Sequence, residues 1–240
     1  MTSEPSRAVL FDLDDTLYEY APCNEAGLVA AHATLAAAFP LDFEAFRGMH
    51  DSVRSELAVR LAGQAASHNR AIFFKLVVER HTGAARGGLA LELFADYWAA
   101  FLERMTPAPG AEEVLAELAR DHALALVTNH TTDIQLRKIE RLGFGRWFPV
   151  VITSEEVGVE KPDPRVFVAA LEALGVDATH AVMVGDNPEV DARGAARAGL
   201  RTILSTQFRR ESADSSSADL VVSFVREVPA AVRELIGAPI

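Results

Sequence analysis

Short apolar segments alternate with segments of helical periodicity over most of the chain. Such short apolar segments, bounded by polar or turn-forming residues, are typical of buried strands. We predict strands at 8–11, 124–128, 149–153, 181–184, 201–204 and 220–222, and helices at 112–120, 131–142, 164–174, 189–198 and 229–236. Continuous apolar strands separated by helices predict a parallel sheet with helices on both faces, that is, an α/β, Rossmann-like core.

The segment 19–106 departs from this alternation because it contains no convincing strand. Its apolar residues recur at helical spacing, with breaks at Pro40, near Gly63 and at 83–88. We predict four helices there, at 25–39, 43–62, 68–81 and 89–105. An all-α insert over 19–106 therefore follows the first strand, and residues 1–18 and 107–240 form a discontinuous α/β core.

Composition and charge narrow the class of protein. The 240 residues are 50% hydrophobic, which allows a large buried core. The formal net charge of -11 disfavours binding to nucleic acid or to an anionic membrane, so we expect neither as a partner. The single cysteine, Cys23, excludes an intrachain disulfide and a cysteine-rich zinc site. No apolar run reaches the length of a membrane span, and the polar start differs from a signal peptide, so we expect a cytoplasmic protein. We expect it to be a monomer or a homodimer.

Three acids, Asp12, Asp14 and Asp15, follow the first predicted strand. Asp12 and Asp14 are two residues apart, so their side chains point to the same side of an extended segment. Two carboxylates about 4 Å apart repel each other by roughly 4 kcal/mol at an effective dielectric constant of about 20. A divalent cation would offset this repulsion. The pair also suits an attack by one carboxylate and a proton transfer by the other.

Polar groups of other kinds follow three more segments of the predicted sheet. Thr128 and Asn129 end the second strand, Lys161 follows the third, and Asp186 and Asp191 follow the fourth. The carboxyl ends of parallel strands meet at one edge of a sheet, where α/β proteins form their sites. A nucleophile, hydroxyl and amide donors, a cation and metal-binding acids at one edge can transfer a phosphoryl group without an organic cofactor.

These strand-end residues resemble the motifs of the haloacid dehalogenase-like (HAD) hydrolase superfamily, phosphatase branch: Asp12-x-Asp14-x-Thr16, Thr128, Lys161, and Gly185-Asp186 with Asp191. The resemblance covers about residues 8–17 and 108–236. It implies that the insert over 19–106 is a helical cap in the first insertion position of that superfamily. It also implies a Mg²⁺-dependent phosphatase that hydrolyses a small phosphorylated metabolite.

The resemblance implies a role for each residue in catalysis and phosphate binding. Asp12 is the expected nucleophile, which forms an aspartyl-phosphate, and Asp14 is the expected general acid and base. Lys161 is expected to neutralise the charge that develops in the transition state. Thr128 and the backbone N–H of Asn129 are expected to bind phosphate oxygens.

The resemblance also implies a metal site. Mg²⁺ would be held by Asp12, the backbone carbonyl of Asp14 and Asp186. Asp191 would orient Lys161 or a metal-bound water. Around these ligands we expect three supporting residues: Asp191, Thr16 and Asn187.

Taken singly, each motif residue also has an ordinary structural explanation. Asp12 and Asp14 would suit a solvated turn, and Thr128 a helix N-cap. Lys161 could be an exposed residue before a helix, and Asp191 an acid placed favourably at a helix start. The order of the four motifs, each at a strand end, favours the functional interpretation.

The insert offers one candidate substrate-binding residue, Arg70, which could contact a second anionic or polar group of the substrate. The alternative is that Arg70 lies on a solvated helix face and has no role in binding. The aromatic residues of the insert are predicted to form its core rather than a platform for a nucleobase: Phe73, Phe74, Tyr97, Trp98 and Phe101.

Three other functions use the same fold. A phosphomutase shares the core residues and differs in passing the phosphoryl group to a second hydroxyl. A 2-haloacid dehalogenase lacks the second acid of the first motif, so the presence of Asp14 disfavours it. A non-catalytic binding protein is disfavoured because every motif residue is intact.

Overall fold

The computed structural model of the chain describes residues 7–208 and 217–237. The chain divides into two compact units, one formed by Met1–Glu19 with Thr106–Ile240 and the other by Tyr20–Met105. The second unit therefore interrupts the first shortly after its first strand.

The described residues of the first unit contain one sheet of six parallel strands, in the order β3-β2-β1-β4-β5-β6. The strands are β1 (Ala8–Phe11), β2 (Ala123–Thr128), β3 (Val150–Thr153), β4 (Ala181–Gly185), β5 (Arg201–Ser205) and β6 (Leu220–Val222). Phe11, the last residue of β1, is in register with Leu126 of β2 and Val184 of β4. The predicted parallel α/β sheet is confirmed, and β1 lies between β2, which ends at Thr128, and β4, which ends at Gly185.

Helices cover both faces of this sheet. They are α5 (Ala111–Leu118), α6 (Thr132–Leu142), α7 (Ser154–Val157), α8 (Pro164–Leu174), α9 (Arg193–Arg197) and α10 (Val228–Ile236). On one face Ala8 and Leu10 of β1 belong to a buried apolar cluster with Phe167 of α8. On the other face the ring of Phe11 packs edge-on against Phe148, with centroids 6.1 Å apart. The alternation follows from the strand, in which successive side chains point to opposite faces.

The predicted helix 189–198 is the largest local difference between sequence and structure. It is a π-helical turn, Pro188–Ala192, followed by the short α9. The side chain of Asn187 accepts hydrogen bonds from the backbone N–H groups of Glu189 and Val190, and the N–H of Ala192 reaches back to the carbonyl of Asn187. The hydrogen bond from the N–H of Ala192 to the carbonyl of Asn187, five residues earlier, makes this turn wider than that of an α-helix, and the periodicity of the sequence does not reveal it.

The second unit consists of four helices and a 3-10 turn (Ala65–His68), with no strand in its described range, 20–105. The helices are α1 (Tyr20–Ala38), α2 (Phe43–Arg60), α3 (Arg70–Thr82) and α4 (Gly87–Arg104). Helix α1 begins five residues before its predicted start, and Pro22 lies in its first turn, where proline is tolerated. The predicted aromatic core is buried: Phe73, Phe74, Tyr97, Trp98 and Phe101.

The helices of the described ranges differ in length and hydropathy. None by itself combines the length and hydropathy needed to cross a bilayer, and only α1 and α2 taken together do so, with a bend of 114° between them.

Two glycines in the second unit provide a matched test of its packing. A Cβ on Gly27 of α1 would lie 2.6 Å from Cδ2 and 2.9 Å from the backbone O of Tyr97, whereas a Cβ on Gly48 of α2 would meet nothing within 4 Å. We expect Gly27→Ala to lower the free energy of unfolding by about 1–3 kcal/mol through overpacking. We expect Gly48→Ala to raise it by about 0.5–1 kcal/mol, because alanine is favoured in a helix. Urea unfolding of both variants measures this, and shifts of the same sign would contradict the described α1–α4 packing.

Candidate active site

The carboxyl ends of three neighbouring strands bring the motif residues to one edge of the sheet. Asp12 follows β1, Thr128 ends β2, and Asp186 follows β4. The backbone N–H of Asp12 donates to the carbonyl of Val184 at 2.9 Å, so the pairing of β1 with β4 continues to the nucleophile candidate. Neighbouring parallel strands therefore fix the spacing of these groups through backbone hydrogen bonds.

Lys161 is the centre of this group of side chains. Its ammonium Nζ lies 2.6 Å from Oδ1 of Asp12 and 2.6 Å from Oδ1 of Asp191, and its side chain is 2% exposed. The side chain of Asn129 fixes the backbone of Lys161 through two hydrogen bonds. Nδ2 of Asn129 donates to the backbone carbonyl of Lys161 at 3.0 Å, and the backbone N–H of Lys161 donates to Oδ1 of Asn129 at 2.8 Å. Sequence reasoning assigned Asn129 a backbone role alone and missed this side-chain contribution.

Asp191 reaches Lys161 because Gly185 has no side chain. A Cβ on Gly185 would lie 2.4 Å from Cγ of Asp191. The other oxygen of Asp191, Oδ2, accepts a hydrogen bond from the N–H of Asn187 at 3.0 Å. The π turn described above thus aims Asp191 at the lysine, while the Asn187 side chain caps the turn itself.

The acids of this edge form a cluster that one lysine does not neutralise. Oxygens of Asp12, Asp186 and Asp191 all lie within 4.8 Å of one another. Burial raises the pKa of Asp12 to about 7, although the charge of Lys161 opposes this shift, and burial together with Asp191 raises the pKa of Asp186 to about 8. Burial alone would lower the pKa of Lys161, but the charges of Asp12 and Asp191 outweigh it and hold the pKa above its ordinary value.

This cluster fits a divalent cation. Three carboxylates face one ammonium group, so a dication would cancel the remaining negative charge. Carboxylate oxygens are the ligands that Mg²⁺ prefers. The hydroxyl of Thr16, four residues after Asp12, donates to Oδ2 of Asp12 at 3.4 Å and helps to orient that carboxylate.

Asp14 is held by two residues that sequence reasoning did not connect with it. Nζ of Lys138, in α6, lies 2.7 Å from Oδ1 and 2.9 Å from Oδ2 of Asp14. The hydroxyl of Tyr18 also donates to Oδ1. Lys138 is fully buried, whereas the Asp14 side chain is 26% exposed. The sequence indicates a special role for Lys138 only through its position on the apolar face of α6, beside Ile134 and Ile139.

A second side chain of α6 contacts the phosphate-binding candidate of β2. Nε2 of Gln135 donates to Oγ1 of Thr128 at 2.5 Å, and both residues are buried. Because Oγ1 of Thr128 accepts this hydrogen bond through a lone pair, its hydroxyl proton can be donated to an anion at the edge of the sheet. Gln135 and Lys138 are three residues apart, which places them on one face of the helix.

Arg70 belongs to the second unit and is buried there, so the alternative of a solvated helix face is wrong. Its guanidinium donates to the hydroxyl of Tyr20 at 2.6 Å, the carbonyl of His68 at 3.1 Å and the hydroxyl of Tyr97 at 3.4 Å. Both tyrosines donate in turn to Oδ1 of Asn24, at 3.1 and 2.7 Å. No ion pair between Arg70 and a carboxylate exists in the described part of the chain.

Known proteins resemble this chain over most of its length. The model of the haloacid dehalogenase-like hydrolase family matches residues 6–199. Ribulose-1,5-bisphosphate 5-phosphatase of Halopiger xanaduensis is 45% identical over 88% of this chain and 89% of its own length. Glyceraldehyde 3-phosphate phosphatase of Methanopyrus kandleri is 32% identical over 95% of this chain and 98% of its own.

A solved structure extends the likeness to the fold. The structure of a 2-haloacid dehalogenase from Pseudomonas syringae has a TM-score of 0.77 and 27% identity, covering 95% of this chain and 98% of that one. Together with the strand-end acids, the family match and the similarity to the Halopiger phosphatase show that the chain belongs to the haloacid dehalogenase-like hydrolase family of enzymes.

Proposed function

We propose that this hydrolase is a Mg²⁺-dependent phosphatase of small phosphorylated metabolites that works through an aspartyl-phosphate on Asp12. The observation that carries the proposal is the placement of Lys161 between Asp12 and Asp191, beside Asp186. A carboxylate can attack a phosphate dianion only where positive charge offsets their mutual repulsion.

In the proposed reaction Asp12 attacks phosphorus, and the leaving oxygen departs with a proton from Asp14. Water then attacks the aspartyl-phosphate, giving its proton to Asp14 and restoring Asp12. Lys161, which contacts the attacking carboxylate of Asp12, stabilises the negative charge that develops on the phosphoryl oxygens in the transition state. The hydroxyl of Thr128 and the N–H of Asn129 are the proposed donors to those oxygens.

The proposed metal ligands are the carboxylates of Asp12 and Asp186 and the backbone carbonyl of Asp14. The excess negative charge of the cluster supports this assignment. When bound, Mg²⁺ would neutralise charge on the phosphoryl oxygens and orient the substrate for attack. Asp191 holds Lys161 in place at 2.6 Å and serves the site through that lysine.

Sugar phosphates are the proposed substrate class, and a sugar bisphosphate the first candidate within it. The support is that one relative carries the name ribulose-1,5-bisphosphate 5-phosphatase and another glyceraldehyde 3-phosphate phosphatase. The dehalogenase with a similar fold is the competing indication. Asp14 argues for phosphate chemistry, because dehalogenases of this family lack the second acid. Transfer to a second hydroxyl, as in a phosphomutase, remains the alternative outcome of a product analysis.

The helical unit, Tyr20–Met105, is the proposed cap that selects the substrate, and Arg70 its proposed anion-binding residue. Burying a guanidinium without a carboxylate partner is costly, since its hydrogen bonds to neutral oxygens offset only part of the lost hydration. A second anionic group of the substrate would supply the missing charge. Three hydrogen bonds already fix the guanidinium, so binding would need little ordering.

We expect Asp12→Asn to abolish hydrolysis of 4-nitrophenyl phosphate and of a panel of sugar phosphates in the presence of Mg²⁺. Removal of the nucleophile stops the first step, so the loss should exceed about 10³-fold. The matched control is Asp177→Asn, an exposed acid before β4 at the opposite end of the strand, which should retain full activity. Equal activity of the Asp12 variant and the wild type would contradict the proposed nucleophile.

We expect Mg²⁺ to bind more tightly as the pH rises from 6 to about 9. In the metal-free protein the pKa values of Asp12 and Asp186 are raised to about 7 and about 8, so protons must leave before these oxygens bind the ion. Isothermal titration in two buffers of different ionisation enthalpy should show proton release at neutral pH. Binding of Mg²⁺ that is independent of pH over this range would contradict the assigned ligands, and Asp186→Asn should reduce the release.

We expect Arg70→Met to reduce kcat/KM for ribulose 1,5-bisphosphate about tenfold to a hundredfold, since a charged hydrogen bond is lost. The value for 4-nitrophenyl phosphate, which has one anionic group, should change little. Arg104→Met, on the exposed side of α4, is the control and should leave both values unchanged. Equal losses on the two substrates would show that Arg70 supports the fold and does not recognise the second group.

A further inference from the structure

The carboxylate of Asp14 is fixed from two directions. From α6, the ammonium of Lys138 contacts both oxygens, at 2.7 and 2.9 Å. From the turn after β1, the hydroxyl of Tyr18 donates to Oδ1. The two fixing residues also contact each other, because Nζ of Lys138 lies 5.7 Å from the centroid of the Tyr18 ring. Two independent segments therefore define one orientation of this side chain.

Lys138 occupies a costly position. Its side chain is completely buried, on a helix face otherwise formed by Ile134, Ile139, Leu142 and Gln135. An ammonium group in such a place requires a close anionic partner to offset its lost hydration. A methionine or leucine would fill the same volume without that requirement. The lysine is therefore better explained by what it does to Asp14 than by packing of α6.

We propose that Lys138 is a positioning residue that holds Asp14 for proton transfer to the leaving group, with Tyr18 as its partner. The inference rests on the proposed phosphatase reaction and adds to it two residues outside the four motifs. Gln135, one turn earlier on the same face, contacts Thr128 in a similar way, so α6 supports two groups of the site.

In the proposed reaction each bond that forms at phosphorus is matched by one that breaks. As the Asp12 oxygen bonds to phosphorus, the bond from phosphorus to the leaving oxygen breaks, and the proton of Asp14 moves to that oxygen. Asp14 is left as a carboxylate, with its charge facing the ammonium of Lys138 at 2.7 Å. Lys138 and Tyr18 thus stabilise the carboxylate that remains once the proton has moved to the leaving oxygen. In the second step the water oxygen bonds to phosphorus, the bond from phosphorus to the Asp12 oxygen breaks, and the Asp14 carboxylate takes a proton from that water, which releases phosphate and restores both aspartates.

A series of aryl phosphates with the same ring but different leaving phenols tests the inference. A good leaving group such as 4-nitrophenol departs without a proton, whereas phenol and 4-methoxyphenol need one. We compare kcat/KM, which reports the first chemical step, for the wild type, Lys138→Met, Tyr18→Phe and Arg137→Met. Arg137 is the neighbour of Lys138 on the exposed face of α6 and serves as the matched control.

We expect Lys138→Met to lower kcat/KM for phenyl phosphate at least about tenfold more than for 4-nitrophenyl phosphate. Tyr18→Phe should produce a smaller change of the same kind, and Arg137→Met none. Because the ratio of two substrates is taken within one preparation, partial unfolding of a variant does not alter it. An unchanged ratio in Lys138→Met overturns the inference while the wild-type activity still stands. A wild type without Mg²⁺-dependent hydrolysis would instead refute the proposed function itself.

Discussion

The buried contact of Lys161 with Asp12 and Asp191 is the interaction on which the rest of the site depends. It joins the end of β1, the loop before α8 and the π turn after β4, with both distances at 2.6 Å. Removing one partner of a buried ion pair typically costs about 3–5 kcal/mol, because the other charge is left uncompensated. The position of each acid is thus set by the lysine, and the position of the lysine by the acids.

Several ordinary features of the fold serve this contact. The absence of a side chain on Gly185 leaves room for Asp191, and the side chain of Asn129 fixes the backbone of Lys161. The parallel pairing of β1 with β4 brings Asp12 next to Asp186. The accumulated negative charge is a consequence of this geometry, and it makes the edge of the sheet suitable for a dication and for a phosphoryl group.

The motif residues that directly follow predicted strands could be grouped from the sequence, whereas Lys138 and Gln135 of helix α6 could not. Asp12, Thr128 and Asp186 each stand where an apolar run ends, and the rule that parallel strands end at one edge is enough to group them. Lys138 and Gln135 interrupt a helical apolar face, which without coordinates is indistinguishable from imperfect periodicity.

The same distinction applies to the wider fold. The six strands are predictable because buried parallel strands are continuous apolar runs, whereas the π turn at Pro188–Ala192 is defined by a backbone hydrogen bond to the carbonyl of Asn187 that no apolar pattern indicates. The four-residue α7 is too short for periodicity to appear. The burial of Arg70 depends on tertiary contacts with two tyrosines far along the chain, which local sequence does not specify.

The most direct test of the central claim is to trap the covalent intermediate on Asp12. Enzyme mixed with a hydrolysed phosphate ester and Mg²⁺ is quenched in acid, reduced with borohydride and digested for mass spectrometry. Reduction of an aspartyl-phosphate yields homoserine, so the account predicts homoserine at position 12 and an unmodified aspartate in the sample without substrate. An active enzyme with aspartate retained at position 12, or with homoserine at another acid, would contradict it.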